Sequence, residues 1–480
     1  MKPVAQQIKI GWGTADITPD WPVNLKGQFH LRLATKALDP ITATALALET
    51  ASGDAGFILI SVDAVQISAY VQKGFAEQLA LTLPGFDPAR VCLHATHTHT
   101  APQQSTPESW YPELPAIYKR PEAYGDFLAK RLAEAAAQAW NSRKTGALAW
   151  GQGYASIGFN RRTCYLNGQT VMYGPTADPM FSHVEGNCDH GVEMLFTFDQ
   201  ERKLTGMLLN VPCPSQCTEH LTEISADYWH DVRVELRARY GRGLFILPQC
   251  SAAGDQSPHL TLNKRGDERM LKLMGYQGDN DSYVMALRKV IARRLAQAVA
   301  EALPAVSRDI RTEVELSHER LEFKAPRRLL SPWETNEANR VITEARQKLA
   351  ALGEGADPLS PAYSVPYAQN WYYVKALERH ALQKAGMLEL PVTVHAMRIG
   401  DVAMATNRFE YYLDFGQRIK ARSPALQTFV VQLAGEGAYL PTARSVAGGG
   451  YGSWFASAPA SAEAGTRIVE ESLRLINQWF

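Results

Sequence analysis

Three consecutive stretches limit the fold more than any others. "GFILISVDAV" (56–65) and "RVCLHAT" (90–96) are short runs of β-branched and large apolar side chains, as in strands buried on both faces. Between them, "VQKGFAEQLALTL" (71–83) has helical character. A strand, helix, strand order implies a parallel crossover, and active-site loops leave the carboxyl ends of such strands. The second run ends in "HATHTHTAP" (94–102), which holds three of the chain's twelve histidines. The imidazoles therefore stand where this topology gathers chemistry.

The remaining pattern extends the same architecture. "LTGMLLNVPCPSQ" (204–216) and "RGLFILPQCSAAGDQSP" (242–258) each read as a strand running into a loop. A helix with Phe127, Leu128, Leu132, Ala135 and Ala136 on one face precedes them. An amphipathic helix over 282–303 carries Val284, Leu287, Ile291, Leu295 and Val299 at helical spacing. "DIRTEVELSHERLEF" (309–323) alternates as a strand does, and "VTVHAMRIGDVAMATN" (392–407) reads as two strands joined at Gly400-Asp401. Helical character dominates 333–386, interrupted by a long surface loop over 351–366. No linker divides the chain. The expectation is an α/β fold of layered mixed sheets flanked by helices, one domain spanning 1–480 without a separate C-terminal β-domain.

Charge and cysteine usage narrow the function classes. Lys+Arg and Asp+Glu balance at 49 each, so no net field directs the chain to nucleic acid, and the expected ligand is a small molecule. No apolar run approaches the length of a transmembrane helix, and the N-terminus has no signal-peptide pattern. Six cysteines in a chain this long do not form a disulfide scaffold; reduced thiols and a cytoplasmic protein are expected. Cys213 and Cys217 lack a second pair at finger-like spacing, which argues against a structural zinc site. "VAGGGYGSW" (446–454) lacks the Lys-Ser/Thr of a phosphate loop.

His97 and His99 are two apart, so on extended backbone they point the same way, and two imidazoles can share a transition metal. The plainer alternative is one turn cap and one buried, hydrogen-bonded ring. Segments elsewhere bear on the choice. "ATHTHTAP" resembles the "THTHSGP" segment of neutral, non-lysosomal ceramidases, which are zinc-dependent amidases. "GWGTADITPD", "LDPITATALALE", "GFNRRT", "GDQSP" and "ISADYWHDVR" are similar to further segments of that family, in the same order. The resemblance runs from about Gly11 to Tyr451.

That resemblance implies a site. His97, Glu410 and Tyr439 match ligands of one zinc ion, while His99, Arg161, Ser257 and Tyr451 match residues around the reacting group. Where the family has a second histidine ligand, this chain has Cys213 in "CPSQ". A thiolate is a good zinc ligand, so Cys213 is the expected replacement. His230 in "DYWHDVR" is the alternative, and a third possibility is that neither binds metal. The implied activity is a zinc-dependent hydrolase of an amide or ester, acting through metal-activated water. Ceramide itself is doubtful as substrate; the aromatics Trp110, Tyr111 and Tyr118 suit a sugar ring or short acyl group as well as a lipid. A metal-assisted lyase or isomerase on a small hydroxy compound, or a catalytically inactive ligand-binding relative, stand as the other readings.

Overall fold

The computed structural model describes residues 3–106 and 114–480. Its larger sheet runs in the order Phe245–Cys250, Leu204–Val211, Gly191–Phe198, Lys144–Tyr154, Gln6–Asp16, Thr42–Thr50, Gly56–Val62, Val91–Ala95, with Glu313–Val314 added beside Gln6–Asp16. Most neighbours are antiparallel, but the two edges are parallel pairs: Gly56–Val62 with Val91–Ala95, and Leu204–Val211 with Phe245–Cys250. The expected crossover is therefore present, with the helix Ala69–Thr82 bridging the first pair. A second sheet orders Leu316–Pro326, Glu389–Ile399, Val402–Thr406 and Gln427–Val431. Ile399 pairs Val402, so Gly400 and Asp401 form the two-residue hairpin the sequence predicts, with Gly400 at a left-handed φ of 59°.

The two sheets pack face to face, and alternation along each strand sorts the side chains. Leu46, Leu48, Phe57 and Leu59 point between the sheets, where they meet Met404, Phe429 and their neighbours. Ala45, Ala47, Ile58 and Ile60 point the other way, onto the helices Ala69–Thr82 and Pro121–Asn141. Helices thus cover both outer faces of a sandwich, which is the layered α/β arrangement expected. Gly11 and Gly13 let the helix Pro121–Asn141 lie directly on its strand: a Cβ at either would sit 1.9 Å from Ala139 O or 2.1 Å from Ala135 O.

The region 333–386 differs in detail from its sequence pattern. Helices Pro332–Ala351 and Pro361–Lys384 are separated by only 352–360. The second begins earlier than predicted because the Ser360 hydroxyl caps Tyr363 N–H and Pro361 suits the first helical turn. Pro366 is absorbed within that helix rather than ending the loop.

One carboxylate fastens the strand ends that carry the histidines. Asp63 follows Gly56–Val62 and has no solvent exposure. It accepts the Thr42 N–H at 2.8 Å and both Arg233 Nη groups at 2.8 and 3.0 Å, and lies 3.4 Å from the Thr96 hydroxyl. Arg233 comes from the helix Tyr228–Tyr240, so the pair joins two strands, a loop and a helix. Removing one partner strands a buried charge. Arg233→Met should lower unfolding free energy by about 3–5 kcal/mol, read as a shifted urea midpoint with unchanged slope.

Candidate active site

Strand ends from both sheets meet at one cavity of about 400 Å³, whose walls include His97, His99, Glu410, Tyr439 and Tyr451. His97 enters it because the chain past Val91–Ala95 stays alongside the neighbouring strand's exit. Thr96 N–H donates to Val62 O at 3.0 Å and His97 N–H to Ala64 O at 2.9 Å. His97 itself adopts φ 67°, a left-handed conformation that a non-glycine residue holds at some cost and that commonly marks a functional position. Its Nδ1 lies 2.8 Å from Val65 O and donates to it, since a carbonyl only accepts. That bond turns Nε2 into the cavity.

Glu410 and Tyr439 arrive together through backbone pairing. The short strands Glu410–Tyr411 and Tyr439–Leu440 run parallel with Glu410 opposite Tyr439, and both side chains line the cavity. The "GDQSP" turn reaches the same place because Gly254 has no side chain: a Cβ there would lie 2.4 Å from Glu410 O. Glu410 Oε2 stands 3.3 Å from His97 Nε2. Burial works against this carboxylate's charge, but His97 and Arg161 outweigh it and hold its pKa below the usual value.

Arg161 is 3% exposed and sits behind this pair. It donates to Gly254 O at 2.9 Å, Tyr439 Oη at 3.1 Å and Gln216 Oε1 at 3.2 Å. Burial opposes its charge too, yet the Tyr439 and Tyr173 oxygens and Glu410 hold the guanidinium protonated. With its Oε1 committed to Arg161, Gln216 turns its amide nitrogen to His99 Nε2, at 2.7 Å. An amide nitrogen only donates, so His99 carries its proton on Nδ1, which faces Glu219 Oε2 at 3.6 Å. Burial, then the neighbouring cations, keep the His99 ring neutral, its pKa well below the ordinary value. Its Nε2 is 3.3 Å from His97 Nε2. Tyr451 packs edge-on to Tyr439 with centroids 5.3 Å apart, and burial raises the pKa of both phenols.

Two expected residues are elsewhere. Cys213 is wholly buried, its thiol donating to Ile157 O at 3.2 Å among Tyr228, Trp229 and Val232, not on the cavity wall. The reason is parity: Met207, Leu209 and Val211 face the helices, and Cys213, two residues on, continues that alternation. Desolvation holds its pKa well above a free thiol's. The expectation of a thiolate ligand is thereby corrected. His230, the alternative, is part-exposed and faces Asp39 at 4.0 Å, away from the cavity. Ser257 is buried one layer back, where it accepts the Tyr173 hydroxyl at 2.8 Å. Trp110 and Tyr111 lie outside the described residues. Gln216 and Glu219 were not singled out from sequence; only their closeness to "CPSQ" hints at them.

Among the described residues no three His, Cys, Asp or Glu side chains form a metal site. The donors at Glu410 nonetheless suit a cation. With Nδ1–H spent on Val65 O, His97 Nε2 faces a carboxylate oxygen, a contact that positive charge satisfies, either a proton on Nε2 or a bound cation between the two. Tyr439 makes a third oxygen donor beside them. His97, Glu410 and Tyr439 thus fit a metal as a three-residue set; the four-residue set that included Cys213 does not form.

No family model matches this chain, and no curated protein matches it in sequence. Solved structures do. The neutral ceramidase from Pseudomonas aeruginosa superposes with TM-score 0.69 at 16% identity, over 99% of this chain and 75% of that one. A ceramidase complexed with C2 superposes with TM-score 0.68 at 18% identity, over 99% and 76%. At such identity the likeness is one of fold. No helix among the described residues is long and apolar enough to cross a membrane.

The burial of Cys213 has a direct chemical consequence. Of the six cysteines only Cys188 is partly exposed, so an aromatic disulfide reagent should label one thiol in the native protein and the others only on unfolding. Cys213→Ala should leave metal content unchanged while lowering stability by about 1–2 kcal/mol, read by denaturant titration.

Proposed function

We propose that this chain, which shares the fold of solved neutral ceramidases, is a metal-dependent hydrolase that cleaves an amide bond of a small molecule. The observation that carries the reading is the meeting of His97, His99, Glu410 and Tyr439 at one cavity, with Arg161 bonded to Tyr439 behind its wall. His97, Glu410 and Tyr439 would hold a zinc ion, which when bound supplies Lewis acidity and lowers the pKa of water.

The chain's own groups account for the rest. His99 Nε2 carries no hydrogen and lies beside the His97–Glu410 pair; the Gln216 amide N–H holds its lone pair, and it takes a proton from the attacking water as that bond gives way. The same proton then passes to the leaving nitrogen, which departs as a neutral amine. Gln216 keeps the ring in the tautomer this requires. The Tyr451 hydroxyl is the donor on the cavity wall for the negative charge that builds on the carbonyl oxygen, and Arg161 adds its positive charge from behind through the Tyr439 hydroxyl that it bonds. An ester would pass through the same steps with an alkoxide leaving group.

The missing fourth ligand favours one rival, a relative that binds a ligand without turnover. Metal analysis and turnover with fluorogenic N-acyl amides separate the two. Chelation should abolish hydrolysis and zinc restore it. His97→Ala and Glu410→Gln should each lower kcat/KM by about three orders of magnitude or more with the circular-dichroism spectrum retained. Arg161→Met should lower it by about 10²–10³ together with a lower melting temperature, because its buried hydrogen bonds are lost. Protein that contains no transition metal and turns over no acyl compound would remove the proposal.

A further inference from the structure

The cavity holds two polar groups that the proposed chemistry leaves unused. Asn24 is 6% exposed, and its Nδ2 is committed to Gln103 Oε1 at 2.8 Å. Its Oδ1 is sealed from solvent with no hydrogen-bond partner, on the wall of the cavity. An acceptor buried this way costs free energy unless a donor meets it. Arg408, on the same wall, stands two residues before Glu410. Among the described residues nothing hydrogen-bonds its guanidinium, and its Nε is buried without a partner. Burial lowers its pKa, with Glu436 opposing; yet Glu436 accepts the Ala69 N–H at 2.9 Å and makes no ion pair with Arg408 among the described residues. Other cations of this wall are spoken for: Arg379 donates to Phe455 O and Ala456 O, and Lys375 pairs with Glu378.

An uncommitted guanidinium suits an anion, and the number of charges is limited. Glu410 and Glu436 line the same cavity and would repel a dianion such as a phosphate monoester. One carboxylate fits. Size points the same way, since about 400 Å³ lies near the lower end for small-molecule sites, roughly 300–1,000 Å³. Walls carrying Asn24, Gln28, Gln103, Lys26, Arg408 and Glu436 do not suit two long alkyl chains. The rings of Phe29, Tyr372 and Tyr451, in edge contact at 5.4 and 5.2 Å, leave an apolar corner for one compact side chain.

Resting on the hydrolase reading above, we propose that the substrate is a small acyl amide bearing one carboxylate, an N-acyl amino acid, with its carboxylate on Arg408 and an N–H or O–H donated to Asn24. Binding tests this apart from catalysis. The probes are N-methanesulfonyl-L-phenylalanine, whose sulfonamide an amidase does not cleave, and its neutral carboxamide, titrated calorimetrically into the full-length protein. The acid should bind at least tenfold tighter than the carboxamide. Arg408→Gln should erase that preference, and Asn24→Ala should weaken both ligands alike. Equal affinity of the two probes for the unmodified protein, no binding of the acid at millimolar concentration, or a preference that survives Arg408→Gln would each overturn the proposal. The comparison on the unmodified protein decides even if a variant fails to fold. A preference that follows Arg408 without hydrolysis of any N-acyl amino acid would support this specificity while removing the hydrolase reading.

Discussion

The buried Asp63–Arg233 pair is the constraint on which the site's geometry depends. A carboxylate without solvent contact is tolerable only when nearly all its lone pairs are met, and here a guanidinium and a backbone amide meet them. Because the carboxylate and those two partners belong to three different segments, satisfying the charge also sets how the segments meet. The backbone that leaves Val62 and the backbone that leaves Ala95 are then held side by side, and the left-handed turn at His97 follows from that ladder. Stability and function share the same contact: what keeps the charge solvated also aims an imidazole.

The aimed imidazole matters through its tautomer. Each ring of the pair has one nitrogen assigned by a group that can play only one role. Val65 O can only accept, so it takes the Nδ1 hydrogen of His97, and the Gln216 amide nitrogen can only donate, so it claims Nε2 of His99. Arg161 completes this logic by fixing which way the Gln216 amide faces. The result is a His97 Nε2 held facing the Glu410 carboxylate, an arrangement that calls for positive charge, whether a bound cation or a proton in transit.

Much of this was legible in the chain. Period-two and helical patterns placed the parallel crossover and the hairpin at Gly400-Asp401, because both are decided by local geometry and face burial. The meeting of His97 with Glu410, over three hundred positions away, was reached only through resemblance, since no local rule links those segments. Cys213 shows the limit. Residue type and position favoured a ligand, but direction is set by the strand's alternation, and counting from Met207 would have turned the thiol toward the helices. Asn24 and Arg408 carry no sequence signal, because what distinguishes them is the lack of a partner, a property of three dimensions.

The pairing of Glu410 with Tyr439 makes two donor groups one mechanical part. Their separation is set by a rung of backbone, and the chain between them is itself built into the fold, with the strand Gln427–Val431 in the second sheet and Phe429 between the sheets. A slip of one residue would turn the side chain of the displaced strand away from the cavity and part the two donors. The register of these two short strands therefore behaves as an all-or-none lock on the donor pair.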